Sequence, residues 1–378
     1  MKKAVFLIED LKFGGVENSL VNLLNNAKFN EHGYKAVLIM WGKQYDVLEN
    51  LKSESGVKVK IVASSFLRRL CNLMQKIFGG QKAEKIYNII IRALVLLAVK
   101  RERADVVIRY HHAAMKTIFN RLNDKSKKIM WYHISECGYY LDREYTDACD
   151  KIVVVSEQCR EIIAKERPYL ASKLAVVSNI IDEDGIREKA KCSDELFDSD
   201  FNIVSCARIS PEKGVLLAVK ACKIILDSDI GGNFKWYFIG PKSDDDTDYY
   251  NEVVRSISEY GLNEKFILLG AQSNPYKYFS RCDLFVQPSL NEAQPLVLKE
   301  AFLCGAPIVS TATVGGRSTV EDGVNGLIAD ISPESVAEKI CGLIKDSEKL
   351  NKLKKNAEMY DVSEQNRQIV KAFYQLLQ

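Results

Sequence analysis

LFVQPSLNEAQPLVLKEAFLCGAPIVSTA, residues 284–312, is the stretch on which the fold is decided. Leu284–Val286 is a short apolar run closed by Gln287 and Pro288. Pro295 suits the first turn of a helix, where its missing N–H is not needed. Leu296, Val297, Ala301 and Leu303 then recur at helical spacing. Gly305 and Pro307 stop the helix, and Ile308–Thr311 is a second buried run. Strand, helix and strand make a βαβ unit, and ligands of such sheets gather at the carboxyl ends of the strands.

The loop of this unit carries Glu292, and Glu300 follows eight positions later. One carboxylate precedes the helix and the other lies about a turn and a half inside it. Free N–H groups and a partial positive charge at the helix N-terminus favour a phosphate. A carboxylate repels phosphate and accepts hydrogen bonds from hydroxyls instead. A diphosphate with a diol at each end, a nucleotide-sugar, meets both demands. Glu292 to Glu300, with the flanks PLVLKEAFLCGAPIVST, resembles the E-x7-E motif of family 4 retaining glycosyltransferases. That resemblance implies an α/β GT-B fold, two Rossmann-like doubly wound domains facing a central cleft. It also implies that Glu300 holds a ribose diol, Glu292 the sugar hydroxyls, and the N–H groups of Leu296 and Val297 the diphosphate. The family has Gly where this chain has Ala293, and the added Cβ narrows the approach to the donor sugar. The identity of the sugar is therefore not carried over.

The chain's 378 residues, 47% of them hydrophobic, suffice for two domains with full cores. Ten cysteines show no C-x-x-C pair and no Cys/His cluster, so a reducing cytosol is expected. MKKAVFLIED reads as a first strand rather than a signal peptide, because Glu9 and Asp10 interrupt it. No run reaches the roughly 20 apolar residues of a spanning helix. Residues 1–190 hold 32 Lys and Arg against 23 Asp and Glu, net +9; residues 191–378 hold 21 against 27, net −6. The basic first half points to an anionic surface or acceptor.

The first domain is read as residues 1–182. Ala4–Ile8 is a buried strand, and Gly14-Gly15 then lets the backbone approach a ligand before a helix from about Asn18. The pair resembles the family's loop facing the donor phosphates. No dinucleotide fingerprint or P-loop occurs. Phe66–Arg103 holds nine Lys and Arg against Glu84 and Glu102. Within it, apolar residues of Phe66–Phe78 fall at helical spacing. That basic amphipathic helix either packs on the sheet or lies on an anionic bilayer surface, and membrane contact is the favoured reading. No nucleic-acid-binding module accompanies the charge. His111, His112 and His133 follow strand ends, where a histidine can donate to a phosphate or sugar oxygen. His133 aligns with the family's histidine beside the donor sugar; His111 or His112 is placed on the acceptor side. Ser156 reads as an N-cap.

Glu183–Asp200 is polar and aperiodic and is read as the interdomain linker. The second domain is read as 201–362, with 363–378 crossing back onto the first. Arg208 and Lys213, at a strand end and five apart, can bracket a diphosphate. RISPEKG strongly resembles the family's phosphate-gripping G-R-L-x-x-E-K-G. Ala271 sits where the family's backbone meets the nucleobase. The acidic run Asp244–Asp246 reads as a polar loop rather than a metal site, because Arg208, Lys213 and helix dipoles already supply positive charge.

The expectation is a retaining, metal-independent glycosyltransferase without a cofactor. It moves a sugar to a glycan or lipid-linked glycan in cell-surface polysaccharide assembly. It is placed in the cytoplasm or on the inner face of the plasma membrane. A nucleotide-sugar 2-epimerase of the same fold and a non-catalytic partner subunit are the alternatives.

Overall fold

The structure is a computed structural model. It describes residues 1–12, 14–42, 45–62, 80–111, 115, 117–122, 125–134, 137–191, 197, 199–228, 230, 234–243 and 246–378. The basic stretch Phe66–Phe78, His112, Asp244 and Asp245 lie outside these residues. Two compact units divide the chain: Met1–Ile180 with Gln365–Gln378, and Ile181–Glu364.

The first unit holds strands β1 (Lys2–Ile8), β2 (Tyr34–Met40), β3 (Lys58–Ile61), β4 (Val106–Arg109), β5 (Lys127–Tyr132), β6 (Lys151–Val154) and β7 (Leu174–Val176). They pair in the order β3-β2-β1-β4-β5-β6-β7, all parallel. Parallel strands covered on both faces read as continuous apolar runs, as AVFLI does in β1. The order reverses between β1 and β4, which opens a crevice at their carboxyl ends. Helix α1 (Gly15–Asn26) starts beyond β1 with Gly14 as its N-cap. The C-terminal segment is tied to this unit by aromatic packing. Phe373 lies within 6.3 Å, centroid to centroid, of Phe6, Phe29 and Trp131. Tyr374 stacks on His32 and donates its hydroxyl to the Ala27 carbonyl. Phe373 is fully buried, so truncating it to Ala costs about 3–5 kcal/mol. Ser156 caps the helix Glu157–Glu166, accepting from the N–H of Cys159 at 3.2 Å.

The second unit holds β8 (Phe201–Cys206), β9 (Phe234–Ile239), β10 (Phe266–Gly270), β11 (Leu284–Gln287), β12 (Ile308–Thr311) and β13 (Gly326–Ala329). Their order is β10-β9-β8-β11-β12-β13, again parallel, with the reversal between β8 and β11. Apolar side chains cover both faces, Trp236 and Phe266 among those on one and Phe285 and Phe302 on the other.

The expected linker is not aperiodic in three dimensions. Its first part is helix α2 (Glu183–Ala190), which belongs to the second unit. Asp182 caps it, and Glu183 and Asp184 favour its positive end. Ile186 is buried with Leu296 and Leu303. Arg187 donates to the carbonyls of Leu303 and Tyr360 at 3.1 and 2.8 Å. Asn274 and Ser280 donate to the carbonyls of Lys189 and Ala190 at 2.9 and 3.0 Å, and one buried apolar residue is too few to register as a period. Among the described residues no helix is long and apolar enough to cross a membrane.

Candidate functional site

In the second unit the site residues cluster at the reversal point of the sheet. β8 ends at Cys206, and Arg208 to Gly214 turn back toward helix α3 (Val215–Asp227). β11 ends at Gln287, and Pro288 to Pro295 lead into helix α4 (Leu296–Leu303). The two loops touch: Leu290 N–H donates to the Glu212 carbonyl at 2.9 Å. Gly214 has φ +65°, and a Cβ there would sit 2.0 Å from the Pro288 carbonyl oxygen. Both the left-handed backbone and the close approach require glycine.

This contact sets Lys213 beside Glu292. Lys213 Nζ donates to Glu292 Oε1 at 2.7 Å, and the side chains are only 21% and 13% exposed. Gln287 Nε2 and Ser289 Oγ donate to the same oxygen at 3.1 Å each. Arg208 stands apart. It is 53% exposed and reaches Glu212 at 3.4 Å. Burial alone would raise the Glu212 carboxyl, but hydrogen bonds from Ser210 and from its own backbone hold it below the usual range.

Pro295 is the N-cap of α4 rather than a residue of its first turn. Leu296 and Val297 are the first helical residues, so their N–H groups have no intrahelical acceptor. Glu300 is not the solvated residue that an isolated helical glutamate would be. Burial pushes its carboxyl up to about 7, against the opposing pull of Lys189. The ionisable groups Cys206, Tyr276 and Cys304 surround it. No hydrogen bond among the described residues reaches the Glu300 carboxyl. Lys299, one position earlier, is buried, which lowers its ammonium to about 8. Ala271 follows β10, at the sheet edge. Its neighbour Gln272 donates to the Leu269 carbonyl at 2.9 Å.

Gln287 and Ser289 were not singled out from the sequence, nor was the brace beneath them. Gly315 N–H donates to the Glu292 carbonyl at 2.7 Å, and a Cβ on Gly315 would meet Pro295 at 2.4 Å. A polar residue closing the apolar run LFVQ was the available signal.

In the first unit, His133 follows β5 and Tyr110 follows β4. His133 Nε2 lies 2.9 Å from the Tyr110 carbonyl oxygen. A carbonyl only accepts, so Nε2 carries the proton. Burial, with His111 nearby, lowers the His133 pKa to about 3, so the ring is neutral at pH 7. Its donor is committed and Nδ1 remains an acceptor. In this tautomer the ring offers an acceptor at Nδ1, where the sequence reading expected a donor. Burial, with Arg109 and Lys12 nearby, lowers His111 to about 4. Neither Gly14 nor Gly15 has a left-handed backbone, and a Cβ on Gly15 would meet nothing within 4 Å.

A cavity of about 610 Å³ opens in this unit, lined by Lys12, Trp41, Tyr87, Arg92, Arg121 and Tyr145 among others. Glu9 and Glu144 add carboxyls, and burial with Asp10 alongside raises that of Glu9. His111 is not among its described lining residues.

Two parallel sheets, each reversing strand order at its centre, define a GT-B architecture. A solved structure, Anabaena Alr3699/HepE in complex with UDP-glucose, superposes with a TM-score of 0.72 at 18% identity, covering 99% of this chain and 100% of that one. Residues 187–359, most of the second unit, match the family model of glycosyl transferases group 1. An uncharacterized glycosyltransferase of Methanocaldococcus jannaschii is 23% identical over 250 residues, 60% of each protein. The N-acetylgalactosamine-N,N'-diacetylbacillosaminyl-diphospho-undecaprenol 4-alpha-N-acetylgalactosaminyltransferase of Campylobacter jejuni is 28% identical over 185 residues, 49% of this chain and 47% of that protein. The chain thus spans less than two thirds of the length of these relatives.

Proposed function

We propose that the protein is a retaining glycosyltransferase that moves a sugar from a nucleoside diphosphate to an acceptor hydroxyl, without a metal. The observation that carries this reading is the meeting of Lys213 and Glu292 where β8 and β11 end, with Glu300 on the helix that follows. Arg208, Lys213 and the N–H groups of Leu296 and Val297 would receive the diphosphate as charge develops on it. Glu300 would accept from the ribose diol and Glu292 from sugar hydroxyls, with Ala271 at the base. In the first unit, Gly14 and Gly15 are assigned to phosphate approach and His133 to a sugar hydroxyl.

In the reaction, the bond between the anomeric carbon and the diphosphate oxygen breaks, and the diphosphate keeps the electron pair. The acceptor oxygen bonds the same carbon from the same face, and its proton passes to the departing diphosphate.

The 610 Å³ cavity supports an acceptor rich in hydroxyls, because aromatic faces, carboxyls, Arg92 and Arg121 share its walls. A diphosphate-linked glycan has that chemistry, and the Campylobacter relative's name describes such an acceptor. His111 and His112 stay assigned to the acceptor side. A role in cell-surface polysaccharide assembly at the inner face of the plasma membrane belongs to the same proposal. It rests on the basic first half of the sequence.

The test is transfer from radiolabelled UDP-, GDP- and ADP-sugars to a polyprenyl diphosphate glycan, with excess EDTA present. The reading expects a product with the donor's anomeric configuration. An inverted product, or activity abolished by EDTA, contradicts it. One observation favours an epimerase instead: a Glu300 carboxyl near 7 is poised for proton transfer. Formation of an epimer from UDP-N-acetylglucosamine alone would establish that reading. Absence of any donor binding would indicate a non-catalytic partner subunit.

A further inference from the structure

The two oxygens of Glu292 are used unequally. Oε1 accepts from Lys213 Nζ at 2.7 Å, from Gln287 Nε2 at 3.1 Å and from Ser289 Oγ at 3.1 Å. No hydrogen bond among the described residues falls on Oε2. The two neutral donors are buried, Gln287 5% and Ser289 1% exposed. Thr311 Oγ1 fixes their backbone, donating to the carbonyls of Gln287 and Ser289 at 3.2 and 2.5 Å. The Glu292 carbonyl is held by Gly315 N–H at 2.7 Å.

The Gln287 amide also carries a cost. Its Oε1 is buried and has no hydrogen-bond partner. Such an atom destabilises the fold, and its presence calls for a reason. Leu284, Phe285 and Val286 before it are all apolar, so packing alone has no use for an amide at 287. What the amide does here is aim Nε2 at Glu292.

We propose that Gln287 and Ser289 are positioning residues that, together with Lys213, saturate Oε1 of Glu292 and leave Oε2 as the single acceptor for a hydroxyl of the donor sugar. The inference rests on the donor-binding reading of this site. It adds a division of labour. The Lys213 ammonium is tethered between Glu292 and the diphosphate, and the Gln287–Ser289 shelf governs recognition of the sugar but not of the diphosphate. Loss of the shelf frees the carboxylate to rotate, so the sugar half of the ligand loses its partner while the phosphate half does not.

The experiment is calorimetric titration of the full chain, wild type and variants, with UDP-glucose, GDP-mannose and ADP-glucose and with UDP, GDP and ADP. Gln287→Met and Ser289→Ala are expected to weaken the best sugar conjugate about tenfold and its parent diphosphate less than about twofold. In a Glu292→Ala background, Gln287→Met is expected to change neither affinity further. Equal weakening of conjugate and parent, or an undiminished Gln287→Met effect in the Glu292→Ala background, overturns the inference and leaves the donor reading intact. A wild-type chain that binds none of the six ligands overturns both. Thermal unfolding guards against misfolded variants. Gln287→Met is expected to lower Tm by about 4 °C in the Glu292 protein and less in the Glu292→Ala protein. Equal shifts in both backgrounds also contradict the shelf.

Discussion

At the carboxyl ends of β8 and β11, Lys213 and Glu292 meet as ions. At the carboxyl ends of β4 and β5, Tyr110 and His133 meet as neutral groups, held by a ring contact of 5.0 Å and one hydrogen bond to a carbonyl. The carboxyl edges of the two sheets thus carry opposite chemistry. An ion pair can exchange its partner for a phosphate or a hydroxyl. A neutral histidine whose pKa burial lowers to about 3 has a fixed tautomer and one acceptor to offer. Charge in the second unit therefore suits holding the part of a ligand on which charge develops. The first unit suits reading hydroxyls.

The largest effect should come from the backbone that brings the ions together. Gly214→Val combines φ +65° with a Cβ 2.0 Å from the Pro288 oxygen. It is expected to destabilise the second unit by more than about 4 kcal/mol in urea unfolding. Gly15→Ala, which meets no atom within 4 Å, is expected to stay within about 1 kcal/mol. Similar losses for the two would dissolve the contrast between a structural and an open glycine.

Lys213→Ala leaves the largely buried Glu292 without its counter-ion and is expected to cost about 3 kcal/mol of stability. Turnover should fall by roughly 10²–10³. Arg208→Ala should change stability by less than about 1 kcal/mol, since its pair with Glu212 is exposed, yet it should weaken diphosphate binding. Thermal unfolding and diphosphate titration of the two variants separate these outcomes.

Glu300 sharpens the comparison through pH. Its folded pKa, about 7, lies above the unfolded value of 4.5. The stability it contributes is complete below pH 4.5 and is lost as pH rises through 7, a loss on the order of 3 kcal/mol. Glu300→Gln should remove that decline. A diol that binds the carboxylate expels a proton, so nucleotide-sugar affinity should rise up to about pH 7 and then level off. The pyrophosphate diester does not titrate in this range, so a flat wild-type profile would count against Glu300 as the ribose contact.

The smallest effect near neutral pH belongs to the first unit. The folded pKa of His133, about 3, lies below the unfolded 6.5. Its contribution is complete above pH 6.5 and is lost as pH falls toward 3. His133→Gln should flatten acid unfolding over that window while leaving stability at pH 8 within about 1 kcal/mol. An unchanged acid profile would mean that the ring is charged or exposed.

What was legible in the sequence followed from residue type. Parallel strands announce themselves as apolar runs, and Arg208, Lys213 and Glu292 stand out as charged residues in the loops that follow two of them. Helix α2 escaped because Ile186 is its one buried residue, and much of its hold comes from polar contacts with distant segments: Arg187 on two carbonyls, and Asn274 and Ser280 on the carbonyls of Lys189 and Ala190. The Gln287–Ser289 shelf escaped because its meaning lies in which oxygen of Glu292 it covers. The tautomer of His133 escaped because a backbone carbonyl sets it, and carbonyls leave no trace in sequence.

The central claim is that the second unit grips a nucleoside diphosphate sugar through Lys213 and Glu300. Isothermal titration of the full chain with UDP-, GDP- and ADP-sugars tests it most directly. One of them should bind, and Lys213→Ala and Glu300→Ala should each weaken it tenfold or more. Binding by neither wild type nor variants, or binding by both variants as tight as that of the wild type, would contradict it.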